Sequence, residues 1–369
     1  QTCALPICMY VVRFFVPIGL SAMYPWPVQW GIAQWVAIAG TGVAVALWLR
    51  QWKKGDSVLH GGLLFFTISL LPVLQIIPFG EALMADRYLY MASIGLAYPA
   101  ACYIAKGMQY LKREQWMVVP TAIVALLFTT TTYMRNQDWQ NDHAFYSSLL
   151  ERFPESAVTQ YSAGVMYLRD GNYDLAAMHM DKAVRLEPNN AKAWYNKGLL
   201  HMRTGQVMEA TEAFNNSIAA ADYIKAYMSR GMLHLSVGNV AMALADIDHV
   251  LQQQPDNGRA WCLHGDCMEK MGKTQDALTD YGKAISSPAP EPLFYLRRGT
   301  LLYKMNQYEG TIADMNSAIE MGDQRGEPYY WRGLAKNKMN LSACADLAIA
   351  ARLRYAPAQQ VLAQLCHGQ

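Results

Sequence analysis

The chain has 369 residues, enough for two domains, and its 31 Lys and Arg residues nearly balance its 29 Asp and Glu residues. This near balance is an average over two different halves. Residues up to Gln140 carry 9 basic and 5 acidic side chains, whereas the remainder carries 22 basic and 24 acidic ones. No basic stripe or helix-turn-helix pattern is present, so the sequence gives little support to nucleic-acid binding and no nucleic-acid partner is expected. The seven cysteines lack the C-x2-C spacing of a zinc site, so no metal is expected.

The amino terminus does not read as a natural beginning. Residues 1–7, QTCALPI, resemble the translation of a sequencing-library adapter. An incomplete apolar run, Met9–Met23, follows without a signal peptide before it. We therefore expect that residues 1–7 are not native and that the natural protein extends upstream of Cys8.

Residues 8–134 contain four complete apolar stretches, each about as long as a membrane span, which needs about 20 residues. Tryptophans lie at or near the ends of these stretches, as in an interfacial aromatic belt. A buried core of soluble helices is the alternative, but charges confined to the junctions favour a membrane helix bundle with one further partial span. The complete stretches are Val28–Leu49, Val58–Phe79, Tyr88–Ala105 and Met117–Met134.

The charges between the stretches predict the orientation. Arg50, Lys53 and Lys54 follow the first complete span, and Lys106, Lys112 and Arg113 follow the third. The positive-inside rule places these two junctions in the cytoplasm. The loop after the second span and everything after the fourth then lie outside it, in the periplasm of a bacterium or the ER lumen of a eukaryote. We therefore expect a multi-pass membrane protein with an extracytoplasmic second half.

The second half has a period of 34 residues, with one interval of 33. A glycine recurs once per unit, an alanine follows it twelve residues later with Thr311 as the exception, and a turn residue lies between them. Two helices joined at that turn would cross most closely where the side chains are smallest. The glycines are Gly164, Gly198, Gly231, Gly265, Gly299 and Gly333, and the turn residues are Gly171, Gly205, Gly238, Gly272, Asn306 and Asn340.

These units closely resemble the tetratricopeptide repeat. With Ala157 as position 1, aromatic residues recur at position 4, glycine at position 8 and alanine at position 20, and Pro188 and Pro255 close two units. The fold class is therefore all-α, a membrane bundle followed by a superhelical solenoid of six repeats over residues 157–356. A seam with a leading half-repeat helix at residues 135–156 precedes the array, and a capping helix at residues 357–369 follows it.

The resemblance to tetratricopeptide repeats implies a groove for a protein or peptide, lined by positions 2, 5, 6, 9, 12 and 13 of each first helix. Aromatic, Met and Arg side chains at these positions are typical of adaptable protein-binding surfaces. The alternative for about half of the aromatics is packing between adjacent repeats. The candidate groove residues are Tyr161, Tyr195, Met202, Met228, Arg259, Arg297, Tyr303, Tyr330 and Trp331.

Histidine and cysteine in the array have competing interpretations. His201, His234 and His264 are interpreted as packed or solvent-edge side chains rather than metal ligands, since the third lies four positions out of register. Cys344 and Cys366 fall in the last repeat and the cap. A disulfide between them, outside the cytoplasm, and two free buried thiols are both compatible with that placement.

Residues 78–95, PFGEALMADRYLYMASIG, are the most distinctive segment outside the repeats. Arg87 opens a predicted span after Asp86 and beside Tyr88 and Tyr90. A guanidinium at a membrane surface can hold a lipid phosphate through two parallel hydrogen bonds, and tyrosine hydroxyls can bind a head group or a sugar. Composition alone favours the alternative of an interfacial arginine that snorkels beside two belt tyrosines.

This segment resembles a signature of multi-span proteins that end in tetratricopeptide repeats. These are the transmembrane-and-tetratricopeptide-repeat O-mannosyltransferases and their bacterial relatives in the GT-C glycosyltransferase superfamily; Leu20–Pro27 and Arg135–Trp139 are also similar to bacterial members. The resemblance implies transfer of a sugar from a polyprenyl-phosphate donor, with no other cofactor evident. Arg87 would bind the donor phosphate, supported by Asp86, Tyr88 and Tyr90.

Two functions follow from this resemblance. The first is a membrane glycosyltransferase-like protein whose repeats bind an extracytoplasmic acceptor or partner. No residue of this chain matches the family's catalytic acid, so we expect a fragment that lacks the catalytic half and is inactive by itself. The alternative is a non-catalytic membrane-anchored scaffold that organises an envelope protein complex. An acidic pair in an upstream external loop would favour the enzyme, and a native start near Met9 would favour the scaffold.

Overall fold

The structure is a computed structural model that describes residues 24–25, 57–70, 82–84, 89–110 and 118–366. By its internal contacts the chain divides into two units, Gln1–Pro188 and Asn189–Gln369. Apart from one short strand pair, the elements in the described part of the chain are helical. Residues 1–7, with the predicted adapter sequence, lie outside the described residues.

The early part of the first unit contains a helix pair and a small antiparallel strand pair. Helices α1 and α2 approach closely, because a Cβ on Gly95 would lie 2.5 Å from the carbonyl oxygen of Gly62. The elements are β1 (Tyr24–Pro25), α1 (Ser57–Leu70), β2 (Ala82–Met84), α2 (Leu89–Tyr110), α3 (Val118–Asn136) and a 3-10 turn, Gln137–Trp139.

These helices do not confirm the predicted membrane bundle. The predicted partial span Met9–Met23 and the span Val28–Leu49 lie outside the described residues, as do residues 71–79 of the next span. Helices α2 and α3 correspond to the third and fourth predicted spans. Within the described ranges, no helix combines the length and the apolarity that a membrane crossing needs.

Helical hairpins form the rest of each unit. Asn or Ser residues begin several of the helices; the Asn257 side chain, for example, accepts a hydrogen bond of 3.1 Å from the backbone N–H of Ala260. In the first unit the helices are α4 (Asp142–Arg152), α5 (Ala157–Arg169) and α6 (Tyr173–Leu186). In the second unit they are α7 (Ala191–Arg203), α8 (Val207–Ala220), α9 (Ile224–Ser236), α10 (Val240–Gln253), α11 (Gly258–Lys270), α12 (Thr274–Ile285), α13 (Pro292–Lys304), α14 (Tyr308–Glu320), α15 (Gly326–Lys338), α16 (Cys344–Arg352) and α17 (Ala356–Cys366).

Each hairpin closes on its position-8 glycine, as the spacing predicts. A Cβ on Gly265 would lie 2.7 Å from Cε1 of Tyr281, and a Cβ on Gly198 would lie 2.5 Å from Cε1 of Phe214. Both aromatic side chains are fully buried. The absent side chain on the first helix therefore makes room for a large residue at position 24 of the second helix.

The predicted turn residues all have positive φ, a conformation that glycine adopts freely and asparagine tolerates better than most residues. This backbone requirement explains why the turn position accepts only these two residue types along the array. The values are +78° at Gly171, +75° at Gly205, +85° at Gly238, +74° at Gly272, +60° at Asn306 and +56° at Asn340.

A buried aspartate pairs with an arginine or a histidine of the facing helix in four consecutive hairpins of the second unit. The base at position 7 of the first helix contacts an aspartate in the middle of the second. In the last repeat, Nη1 of Arg332 also donates to Oδ1 of Asn316 in the preceding repeat, at 2.7 Å. The pairs therefore link helices within and between repeats. They are Arg230–Asp246, His264–Asp280, Arg298–Asp314 and Arg332–Asp346.

The last hairpin and the cap are joined by a disulfide bond between Cys344 and Cys366, whose Cα atoms lie 5.8 Å apart. The bond ties the beginning of α16 to the end of α17. Cys262 and Cys267 are free and buried, and burial raises the pKa of each thiol to about 12. These two thiols are therefore weak nucleophiles at neutral pH.

The close approach of two helices at the position-8 glycine predicts that a side chain added there lowers the free energy of unfolding, whereas one added at an open position does not. We expect Gly265→Ala to lower the free energy of unfolding by about 1–3 kcal/mol, because the new methyl group overlaps the buried Tyr281 ring. The matched control is Gly282→Ala in the same repeat, where an added Cβ would meet no atom within 4 Å. This change should stabilise helix α12 by up to about 1 kcal/mol. Urea denaturation followed by circular dichroism measures both; equal effects at the two sites would contradict the crossing.

The disulfide predicts a redox-dependent stability. Because the bond connects residues 22 apart in sequence, its reduction should lower the free energy of unfolding by about 3 kcal/mol. Thermal melting with and without a reductant tests this. The double variant Cys344→Ser/Cys366→Ser should melt at the lower temperature under both conditions. If the parent protein melts at the same temperature with and without the reductant, the bond does not stabilise the array.

Candidate functional site

First helices of three consecutive repeats in the second unit line one cavity of about 670 Å³. Helices α9, α11 and α13 contribute residues at positions 6, 9, 12 and 13, which are the positions that line the groove of tetratricopeptide repeats. Half of the ten lining residues are charged, three are apolar and two carry hydroxyl groups. It comprises Met232, Leu235, Ser236, Leu263, Asp266, Glu269, Lys270, Arg297, Thr300 and Lys304.

Two carboxylates of α11 meet two cations of α13 in this cavity. Nε of Arg297 lies 3.5 Å from Oδ1 of Asp266. Nζ of Lys304 lies 2.7 Å from Oε1 of Glu269. The pairs join neighbouring repeats across the cavity and restrict the orientations of the long cationic side chains.

Tyr281 supports both carboxylates from the core of the repeat. Its hydroxyl oxygen lies 2.7 Å from Oδ1 of Asp266 and 3.1 Å from Oε2 of Glu269. Burial raises the pKa of Asp266, although Arg297 and the Tyr281 hydroxyl lower it in part. Burial and the Asp266 charge raise the pKa of Tyr281, so its hydroxyl remains a hydrogen-bond donor at neutral pH.

An aromatic cluster occupies the last two repeats. The Trp331 ring centroid lies 5.2 Å from that of Tyr303 and 5.4 Å from that of Tyr330, and Tyr330 lies 5.1 Å from Tyr355. Nε1 of Trp331 is buried and has no hydrogen-bond partner among the described residues. Three of the predicted groove residues are therefore brought together as one aromatic surface.

Other predicted groove residues pack against neighbouring helices. The Tyr195 ring lies 5.3 Å from that of Tyr223, and Tyr195 and Met202 pack against the core cluster that contains Phe214. Met228 packs similarly against the cluster of the third repeat. These contacts correspond to the alternative in which groove-position side chains pack between repeats.

The remaining predicted residues are spread along the array. Tyr161 lies on α5 in the first unit. Arg259 is 73% exposed and its guanidinium pairs with Glu291. Arg297, described above, is the predicted residue that lines the charged cavity.

Asp266, Glu269 and Lys270 line the cavity but are absent from the predicted groove set. The signal was available, because they occupy positions 9, 12 and 13 of the fourth repeat. Tyr281 gave no such signal, since position 24 belongs to the hydrophobic core pattern. Its second role depends on a hydroxyl that reaches through the hairpin to the groove side.

The predicted donor-binding residues cannot be placed by geometry. Asp86, Arg87 and Tyr88 lie outside the described residues, as does the side chain of Tyr90. Among the described residues, no group of three His, Cys, Asp or Glu side chains is arranged to hold a metal ion. His264 instead pairs with Asp280, and His234 is buried, which lowers its pKa.

Comparison with known proteins supports the repeat assignment and finds similarity at low identity to a group of enzymes. A tetratricopeptide-repeat family model matches residues 132–191 and 161–223. The chain is 26% identical to the human protein O-mannosyl-transferase TMTC1 over 147 residues, 39% of this chain and 17% of the relative. It is 24% identical to Drosophila melanogaster Tmtc3 over 231 residues, 61% of this chain and 22% of the relative. The matched region thus spans about a fifth of each relative.

Solved structures share the fold of the array. A tetratricopeptide repeat protein from Parabacteroides merdae aligns with a TM-score of 0.51 at 18% identity, covering 64% of this chain and 96% of that one. The chain therefore carries tetratricopeptide repeats and is similar at low identity to O-mannosyl-transferases. The prediction of an all-α repeat fold is confirmed for the array.

The Tyr281 contacts predict a pH-dependent loss of stability. Tyr281→Phe should lower the free energy of unfolding by about 1–2 kcal/mol at pH 8, because the partly buried carboxylates lose a hydrogen-bond donor. The hydrogen bond favours the ionised carboxylate. The difference between parent and variant should therefore shrink as the pH falls through the raised pKa of Asp266, since the carboxyl becomes protonated.

Urea denaturation at several pH values measures this difference. Tyr308→Phe is the matched control, because its hydroxyl bonds to Asn306 at the edge of a turn rather than to a carboxylate. This control should cost less than about 0.5 kcal/mol at any of these pH values. A loss in Tyr281→Phe that stays constant with pH would contradict the carboxylate contact.

Proposed function

We propose that this chain is part of a membrane glycosyltransferase-like protein whose repeats bind a polypeptide segment outside the cytoplasm. The donor would be a polyprenyl-phosphate-linked sugar and the acceptor an extracytoplasmic protein. Arg87 would hold the donor phosphate, with Asp86, Tyr88 and Tyr90 beside it. The repeats would hold the acceptor or a partner protein near the reaction.

The observation that carries the binding role is the cavity shared by α9, α11 and α13. Its lining combines exposed cations with apolar side chains, and four of its five charged groups are held in place by ion pairs between repeats. Ordered side chains lose less conformational entropy when a partner binds. A groove that combines apolar side chains with fixed charged groups suits an extended peptide.

The similarity to O-mannosyl-transferases supports the transfer role, because the matched regions cover 39% and 61% of this chain. The predicted spans of the first half and the segment around Arg87 support a lipid-linked donor. The disulfide between Cys344 and Cys366 supports an oxidising, extracytoplasmic compartment, the side that the basic junctions of the first half also predict.

The transfer role is tested on the complete gene product that contains this chain, reconstituted in lipid vesicles. The donor probe is radiolabelled polyprenyl-phosphate mannose, chosen because the relatives are named O-mannosyl-transferases. We expect incorporation of label into extracytoplasmic acceptor proteins. Arg87→Ala should reduce it by about 100-fold, since a neutral methyl group cannot bind the donor phosphate.

The matched control is Lys54→Ala, at a junction predicted to face the cytoplasm, which should retain the parent activity. Thermal melting of both variants should match the parent, because neither residue belongs to the repeats. Full activity in Arg87→Ala would remove this residue from donor binding. An inactive parent protein would favour the alternative, a membrane-anchored scaffold without transferase activity.

A further inference from the structure

Basic residues of the second unit are concentrated at the groove positions. Residues 189–369 contain 18 Lys and Arg residues against 17 Asp and Glu residues. The six groove positions of the five repeats hold 8 of these bases and 3 of these acids, so the rest of the unit is net acidic. The positive net charge of the groove positions and the negative net charge of the rest nearly cancel. The small total charge of the unit therefore does not reveal that the groove is positively charged.

In the cavity the cationic side chains are more exposed than the carboxylates, so the surface of the groove is positively charged. The Arg297 and Lys304 side chains are 47% and 58% exposed, whereas their partners Asp266 and Glu269 are 22% and 28% exposed. The carboxylates are therefore recessed beneath the cations, and Tyr281 holds them from below. Lys270 adds a further exposed cation to the same lining.

We propose that the groove formed by α9, α11 and α13 binds an extended acidic polypeptide segment. Its carboxylates meet Lys270, Arg297 and Lys304, and its apolar side chains enter between these cations toward Met232, Leu235 and Leu263. This inference rests on the proposed function, since it names the chemistry of the polypeptide that the repeats bind.

The recessed carboxylates position the cations without neutralising their outer faces. A guanidinium or an ammonium group has several N–H donors, so a group held by one carboxylate retains donors for a second. A basic segment would instead have to displace Arg297 and Lys304 to reach Asp266 and Glu269. The apolar part of the lining favours a polypeptide with alternating acidic and apolar side chains over a purely electrostatic ligand such as a nucleic acid.

The length of the segment follows from helix spacing. Neighbouring packed helices lie about 8–10 Å apart, so three first helices extend over about 20 Å. An extended chain advances about 3.3 Å per residue, so about six residues cross the groove. Twelve-residue peptides are therefore long enough to test the whole surface.

The first experiment compares three labelled twelve-residue peptides with the same apolar residues, measured by fluorescence anisotropy with the full chain. One alternates Asp and Glu with Leu, one replaces the acids with Asn and Gln, and one replaces them with Lys. We expect the acidic peptide to bind at least about tenfold more tightly than the neutral one. This advantage should fall as the salt concentration rises, because solvent-exposed charges are screened.

Two sets of variants should shift the affinity in opposite directions. Lys270→Gln/Arg297→Gln should weaken binding of the acidic peptide about tenfold and leave the neutral peptide unaffected. Asp266→Asn/Glu269→Gln should strengthen binding of the acidic peptide about threefold, because the recessed negative charge is removed. Opposite shifts cannot arise from a shared loss of folding. Lys273→Gln, at the turn outside the cavity, is the matched control and should bind like the parent.

Each outcome separates this inference from the proposed function. Equal affinity for the acidic and neutral peptides would overturn the acidic preference and leave a peptide-binding groove. Tighter binding of the Lys peptide would overturn it in favour of Asp266 and Glu269 as the recognition groups. A single-stranded oligonucleotide with the same net charge as the acidic peptide is tested as a competitor. If it displaces the acidic peptide and binds with equal affinity, the polypeptide assignment is overturned. If none of the three peptides binds, the peptide-binding role itself fails.

Discussion

The close approach of two helices at a glycine is the constraint on which the array depends. At Gly265 a side chain of any size would overlap Tyr281, and at Gly198 it would overlap Phe214. The glycine therefore admits the largest residue of the second helix to the centre of the hairpin, where it is fully buried. Because a hairpin is too small to bury this surface by itself, neighbouring repeats complete the core. Because every repeat has to meet the same packing requirement, the sequence has a 34-residue period.

The same crossing connects the core to the groove. Tyr281 fills the space opposite Gly265 with its ring, and its hydroxyl reaches the carboxylates of Asp266 and Glu269 on the cavity side. Those carboxylates then hold Arg297 and Lys304 of the next repeat. The core and the cavity are thus joined through one side chain. A change in the core at this point would alter the arrangement of the charges in the cavity.

A second set of contacts links the repeats apart from the groove. Arg332 pairs with the buried Asp346 and donates to Asn316 of the preceding repeat. A buried carboxylate without a cation would be costly, so each pair requires both members. In the fourth repeat a histidine occupies the position of this arginine: His264 contacts Asp280 in its own repeat and lies 3.6 Å from Asp248 of the preceding one. Its place in this series gives a structural reason for a histidine that resembles a candidate metal ligand in the sequence.

The sequence by itself determined the repeats, their turns and the groove positions, because backbone and packing requirements recur at fixed spacing: glycine at each crossing, and glycine or asparagine wherever φ is positive. Only the tertiary structure decided which groove-position residues line the cavity. Tyr195 and Met228 pack into the core clusters, whereas Asp266 lines the cavity, and all three occupy groove positions. The physical reason is that exposure and charge depth depend on contacts between helices that are distant in sequence, and periodicity carries no information about those contacts.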